Sequence, residues 1–158
     1  MTVKTRRATE SDAKALAELL LAVHGIHVRG NPDVYRELSR DAAEAIVLGK
    51  LAAGERVRVA ELDNEIAGYC AATIQTAPAI PLLQPRRSLY LNEVVVRPQS
   101  RKRGVGRALL EDLQAFARRE GVHDIELDVA SFNPEARAFF AAFGFQVLRE
   151  RMGMSADS

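Results

Sequence analysis

Apolar and polar positions recur in this chain with two periods, and the changes of period divide it into elements. Thr2 to Arg7 reads as a short first strand. Thr9-Glu-Ser-Asp12 has the form of a capping box, and Leu16, Leu19, Leu20 and Val23 follow at helical spacing, predicting a first helix to about Val23. Residues 24–38 read as irregular. A second helix is expected from Arg40 to about Ala53, with Ala43, Ile46, Val47 and Lys50 on successive turns and Gly54 ending it. Val57 to Leu62 alternates as a strand does, Asp63-Asn64-Glu65 is turn material, and Ile66 to Thr76 completes a hairpin. After a proline-bearing loop, Leu89 to Val96 is a nearly continuous apolar strand interrupted only by Asn92-Glu93. A helix from Gly104 to about Glu120 carries Val105, Leu109, Leu113 and Phe116 as its stripe. Asp124 to Val129 is the next strand, and Asn133-Pro134 caps a helix running to about Ala142. Phe145 to Met152 is expected to close the sheet. The order β α α β β β α β α β predicts a mixed α/β sheet with helices on both faces.

Composition narrows this only slightly. A chain of 158 residues is expected to form a single domain, 1–158, and 47% hydrophobic with 27% charged residues is globular rather than disordered. The formal charge of +1 gives no reason to expect nucleic acid as a partner. The single Cys70 lies in an apolar segment and suits a reducing compartment. No stretch approaches the ~20 apolar residues of a membrane span, and the first residues lack the core of a signal peptide. A cytoplasmic protein with no membrane partner and no metal is expected.

Charge is instead concentrated. Arg97, Arg101, Lys102, Arg103 and Arg107 put five cations into eleven residues with no acid among them, and Gly104 and Gly106 lie in the same run. The segment joins a strand to a helix. There the first helical amides lack intrahelical acceptors and carry roughly +0.5 of an elementary charge. Glycine lets a ligand approach the backbone, so the turn is a socket for phosphate groups. A dinucleotide-binding turn would want a third glycine where Leu109 stands, early in a repeating βαβ pattern. A nucleotide P-loop would want Lys-Ser or Lys-Thr where Arg107-Ala108 stands. Neither pattern is met.

A third pattern is. Arg101-Lys102-Arg103-Gly104-Val105-Gly106 follows Val96-Arg97-Pro98, and Asn133-Pro-Glu-Ala136-Arg-Ala-Phe139-Phe140-Ala-Ala-Phe-Gly144-Phe145 comes about 25 residues later. Together they resemble the two signatures of the GCN5-related N-acetyltransferases over residues 88–146. The resemblance implies the acyl-CoA N-acyltransferase fold: a mostly antiparallel sheet whose two parallel strands splay, here Leu89–Val96 and Asp124–Val129. It implies acetyl-CoA as cosubstrate. Its pyrophosphate would lie on Arg101, Lys102, Arg103, Gly104, Val105, Gly106 and Arg107, with its pantetheine arm against the backbone of Val94 and Val96. An amide near Val95 becomes the oxyanion donor, and Asn133 and Phe140 belong to the cofactor set.

Direct transfer to an amine needs a base and a proton for the leaving thiolate. Family members commonly place the acid on a tyrosine where this chain has Phe140, which has no proton to give. Tyr90 and Tyr69 are the substitutes to weigh. For the base, Glu93 leads, because an acid in an apolar strand is costly unless it faces a cleft or a partner. Asp128 is second, at a position where some protein-modifying relatives carry a glutamate. His24, His27 and Tyr35 are expected on the acceptor side. The resemblance thus implies an acetyl-CoA-dependent N-acetyltransferase acting on a primary amine, chiefly of a small molecule, by direct transfer in a ternary complex. Protein N-terminal or lysine acetylation, or coenzyme A sensing without turnover, are the alternatives. A homodimer is the candidate assembly.

Overall fold

The computed structural model describes residues 2–157, which divide into two compact units, one up to Asp128 and one from Val129 onward. The first holds a five-stranded sheet in the order β1 (Lys4–Arg7), β2 (Arg56–Leu62), β3 (Glu65–Ala77), β4 (Arg86–Val96) and β5 (Asp124–Glu126). Every neighbouring pair is antiparallel except β4 with β5, which is parallel. The β2–β3 hairpin turns at Asp63 and Asn64, with φ of 55° and 64°. Short Asp and Asn side chains tolerate the left-handed region that a two-residue hairpin turn demands at both positions.

The alternation of side chains along the strands sorts the helices onto the two faces. On one face Val57, Val59, Tyr69, Ala71 and Val95 form a buried cluster with Leu16 and Leu20 of α1 (Ala13–Gly30) and Ala43 and Val47 of α2 (Arg40–Ala52). Arg56 and Arg58, in the opposite phase on β2, reach Asp112 of α3 (Val105–Arg119) on the other face. Arg58 Nη2 donates to Asp112 Oδ2 over 2.8 Å, Arg56 Nη2 to Oδ1 over 3.2 Å, and Thr5 Oγ1 of β1 to Oδ2 over 2.9 Å. Burial pushes this carboxyl up, but the Arg58 and Thr5 hydrogen bonds and the two arginine charges outweigh it, leaving it below the usual carboxylate range. One acid thus fixes α3, and the turn that precedes it, to the edge of the sheet. The stripe of α3 buries Val105, Leu109, Leu110, Leu113 and Ala117. Phe116, expected in that stripe, is only half-buried and carries the Arg56 guanidinium 3.8 Å over its ring.

Three elements depart from the sequence expectation. The first helix runs past Val23 to Gly30, so His24 and His27 stand on its last turns rather than in a loop. It stops at Asn31 because the following Pro32 drives that residue out of helical geometry, to φ −151° and ψ 75°. The strand from Asp124 stops at Glu126 rather than Val129. No strand forms over residues 145–152, where Phe145 and Val147 alternate but Leu148 falls out of phase, leaving no consistent apolar face.

In the second unit, α4 (Pro134–Phe143) begins as expected. Asn133 Oδ1 accepts from the Ala136 amide over 3.2 Å, and Pro134 occupies the first turn, where no amide hydrogen is needed. The Phe140 ring lies 5.3 Å from Phe139 and 5.5 Å from Phe145, centroid to centroid. Among the described residues no helix is long and apolar enough to cross a membrane.

Candidate functional site

The parallel strands β4 and β5 pair only over Ser88–Tyr90 and Asp124–Glu126. Strand β4 then continues to Val96 without β5, while its other edge stays paired with β3, Val94 to Cys70, Val95 to Tyr69 and Val96 to Gly68. From Leu91 to Val96 no described strand continues the sheet on the edge that β5 covers over Ser88–Tyr90. Val94 and Val96, expected against the cofactor arm, and Val95, expected near the oxyanion donor, all lie on this stretch.

The same strand feeds the glycine turn. Lys102 and Gly104 adopt φ of 60° and 85°, and Gly104 caps α3 without a side-chain hydrogen bond. A Cβ built on Gly104 meets nothing within 4 Å, so the space in front of the turn is open to a ligand. Gly106 and Val105 behind it are buried. Close packing below is set by Gly68 of β3, whose Cβ would fall 2.6 Å from the Val95 carbonyl oxygen and 2.9 Å from Val105 Cγ1. Gly68 thus lets the end of β4 and the start of α3 approach the sheet together.

The cations around the turn have acidic neighbours that their own segment lacks. Arg97 Nη1 lies 3.0 Å from Glu65 Oε2, Arg103 Nη2 3.3 Å from Asp63 Oδ2, and Arg107 Nη1 3.4 Å from Glu111 Oε1. Arg101 is half-buried, and Lys102 is exposed. Exposed pairs of this kind are worth little, so an incoming phosphate exchanges them at small cost.

The Asn92-Glu93 interruption is a β-bulge. Ala71 pairs with Glu93 and Ala72 with Leu91, leaving Asn92 as the extra residue. Asn92 Nδ2 donates to Thr73 Oγ1 over 2.9 Å and to Glu55 Oε2 over 3.0 Å. Beside it, Glu93 Oε1 lies 3.6 Å from Lys50 Nζ, and that ammonium is 3.5 Å from Glu55 Oε2. Glu93 Oε1 is buried without a hydrogen-bond donor, as is the Tyr69 hydroxyl. The phenol is near enough to feel the carboxylate but falls short of hydrogen-bond geometry. Burial holds the Glu93 carboxyl above the usual range. Lys50 and Tyr69 pull it down and Glu55 pushes it up, without reversing the net direction. Burial, and then the Glu93 charge, likewise hold the Tyr69 phenol well above its ordinary value. A carboxylate costly to keep charged takes a proton more readily than an exposed glutamate does.

The remaining sequence-derived residues fall into separate groups. Asp128 accepts a hydrogen bond from the Tyr90 hydroxyl, beside the last β4–β5 pair. His24 Nε2 donates to the Arg36 carbonyl over 2.6 Å, and His27 Nδ1 donates to the Val23 carbonyl over 3.2 Å. The Tyr35 ring lies 6.2 Å from His24 and 5.2 Å from His27, so these three come together as one half-buried aromatic cluster. Asn133 and Phe140 stand in the second unit as described. Cys70 is buried, and burial pushes its thiol up to about 12, which fits an inert core residue. Sequence reasoning missed Lys50 and Glu55. A signal was present, since Lys50 continues the apolar stripe of α2, and a charge at a stripe position needs a partner inside.

A family model for the acetyltransferase (GNAT) family matches residues 20–145. The chain is 29% identical over 147 residues to the uncharacterized N-acetyltransferase YhfO of Bacillus subtilis (strain 168), covering 89% of this chain and 88% of that protein. A tetramutant of the BH1408 protein of Bacillus halodurans superposes with a TM-score of 0.86 at 28% identity, over 98% of this chain and 99% of the other. A Clostridium acetobutylicum protein described as a predicted acetyltransferase, crystallised with acetyl-CoA, shares the fold with a TM-score of 0.69 at 19% identity, over 98% and 96% of the two chains.

Proposed function

Because the chain belongs to the acetyltransferase (GNAT) family, with acetyl-CoA as its cosubstrate, we propose that it acetylates a primary amine on a small molecule by direct transfer within a ternary complex. The observation that carries this reading is the parting of β4 from β5 after Tyr90 and Glu126, on the strand that leads into the Gly104 turn. The turn fits a pyrophosphate, since the first amides of a helix have no intrahelical acceptor and the space before Gly104 is open. The freed edge of β4 at Val94 and Val96 fits the amides of the pantetheine arm, and Arg101, Lys102, Arg103 and Arg107 supply compensating charge.

Glu93 takes the proton of the acceptor ammonium in this scheme. Its carboxylate lies at the bulge on the strand that holds the thioester, and its Oε1 has no hydrogen-bond donor. Asp128 is the weaker candidate because its carboxylate already accepts from Tyr90. The free amine attacks the thioester carbonyl, and a β4 amide near Val95 receives the oxyanion. The attached nitrogen loses its second proton to water as the carbon–sulfur bond breaks, and the coenzyme thiolate takes a proton from water or from the Tyr90 phenol, since Phe140 has none. His24, His27 and Tyr35 contribute to the acceptor side as aromatic and hydrogen-bonding surface. The test is thiol release from acetyl-CoA with a panel of small primary amines set against peptides bearing N-terminal or lysine amines. Faster release with small amines is expected. Release with peptides alone would move the acceptor class to proteins.

A further inference from the structure

The cluster behind the bulge contains more charge than a base alone requires. Three groups face Glu93, one from each element packed against it: the Lys50 ammonium from α2, the Glu55 carboxylate from the α2–β2 connection, and the Tyr69 phenol from β3. Lys50 stands between the two acids at near-equal distances, 3.5 Å from Glu55 Oε2 and 3.6 Å from Glu93 Oε1. All three charged side chains are largely withdrawn from water, with exposures of 20% for Lys50, 21% for Glu55 and 16% for Glu93. Glu55 is itself anchored by Asn92, the extra residue of the bulge, so the geometry of β4 fixes where both acids stand.

Counted as charges, the cluster is one cation against two anions. A half-buried cluster of net negative charge resists the ionisation of its most buried member, and it is the Glu93 oxygen that has no donor. We propose that Lys50 and Glu55 are opposed positioning residues for the base: Lys50 holds the Glu93 carboxylate charged and aimed along β4, and Glu55 restrains that hold by sharing the ammonium. The balance leaves Glu93 ionised enough to accept a proton, yet basic enough to remove one from an ammonium. Without Lys50 the carboxylate would stay protonated to higher pH. Without Glu55 the ammonium would settle on Glu93 and make it a poorer base. This inference rests on the reading of Glu93 as the base.

Carboxyl carbons of protein labelled with 13C-glutamate report the effect directly by NMR titration, with the Glu93 signal identified by its loss in Glu93→Gln. Lys50→Met should move the Glu93 midpoint to higher pH by about one unit or more, as expected for a charge removed from about 4 Å in a partly buried site. Lys50→Arg should restore it, and Glu55→Gln should move it to lower pH. A purely structural Lys50 would instead lose thermal stability in both Lys50 variants and leave the midpoint in place, which would overturn the proposal. Should Lys50→Met fail to fold, Glu55→Gln decides, because a midpoint that stays or rises contradicts the opposed arrangement. The parent reading is checked separately by acetyl transfer. Undiminished turnover of Glu93→Gln with a responsive amine would remove Glu93 as the base, and the positioning role with it, even where the carboxyl signal moves as described.

Discussion

Replacing Asp112 with alanine tests how α3 is held to the sheet. The carboxylate accepts from Thr5, Arg56 and Arg58, and its side chain is 12% exposed against 23% and 19% for the two arginines. Deleting one partner of a fully buried ion pair costs about 3–5 kcal/mol, most of it from the charge left behind. Water reaches about a fifth of each arginine, so the low end applies, about 3 kcal/mol. For a chain of this size that corresponds to a Tm lowered by about 6–12 °C. Urea denaturation should give a lower midpoint with an unchanged slope. Asparagine keeps the Thr5 hydrogen bond but loses the charge, and should cost about half as much. The pH dependence supplies a second check. Asp112 has a depressed carboxyl in the folded state, so its stabilisation is complete above the unfolded value and is lost as pH falls through the folded one. The gap between wild type and Asp112→Asn should therefore close in acid. A loss below about 1 kcal/mol, unchanged with pH, would class these contacts with ordinary surface bridges and refute the anchoring role.

Glu93→Gln should lower turnover at least about tenfold, at or below the usual range for general-base catalysis, while acetyl-CoA binding measured by calorimetry stays near wild type. The same variant should melt higher at neutral pH. A carboxyl raised by burial favours the protonated folded state, so its ionisation costs stability as pH rises from the unfolded value through the folded one, and glutamine removes that cost. Gly68→Ala places a Cβ 2.6 Å from the Val95 carbonyl oxygen and 2.9 Å from Val105, and should cost about 1–3 kcal/mol in urea denaturation and weaken acetyl-CoA binding. Phe140→Tyr adds a phenol at the motif position of the family's acid. A modest rise in turnover, greatest at low pH, is expected, and an unchanged rate would mean that another donor already serves.

What could be read from the sequence was what depends on local backbone chemistry. The hairpin at Asp63-Asn64 and the turn at Gly104 rest on residues that accept positive φ, and both are where the sequence placed them. The Asn133 cap needs only a short acceptor before a proline, and it forms. The first helix runs seven residues beyond the sequence reading, since Gly25 inside it costs only about 1 kcal/mol, which tertiary structure readily overrides. Likewise Asn92-Glu93 was visible as an interruption but not as a bulge, because a bulge is a mismatch with a second strand. The Lys50–Glu55–Glu93 cluster joins residues up to 43 positions apart through the packing of α2 against the sheet, and no local pattern encodes such a meeting. Asp112 was hidden for the same reason: its partners lie on β1 and β2, more than fifty residues away.

The central claim is that acetyl-CoA is held by the turn at Gly104. Calorimetric titration of acetyl-CoA into wild type, Gly104→Asn and Gly104→Glu tests it most directly. Asparagine tolerates the left-handed backbone at this position and adds no charge, whereas glutamate brings an anion and a longer side chain into the open space before the helix. Wild type should bind one equivalent and gain melting temperature with ligand, asparagine should bind more weakly, and glutamate should show no binding while remaining folded. A folded Gly104→Glu protein that binds acetyl-CoA with wild-type affinity would contradict the account.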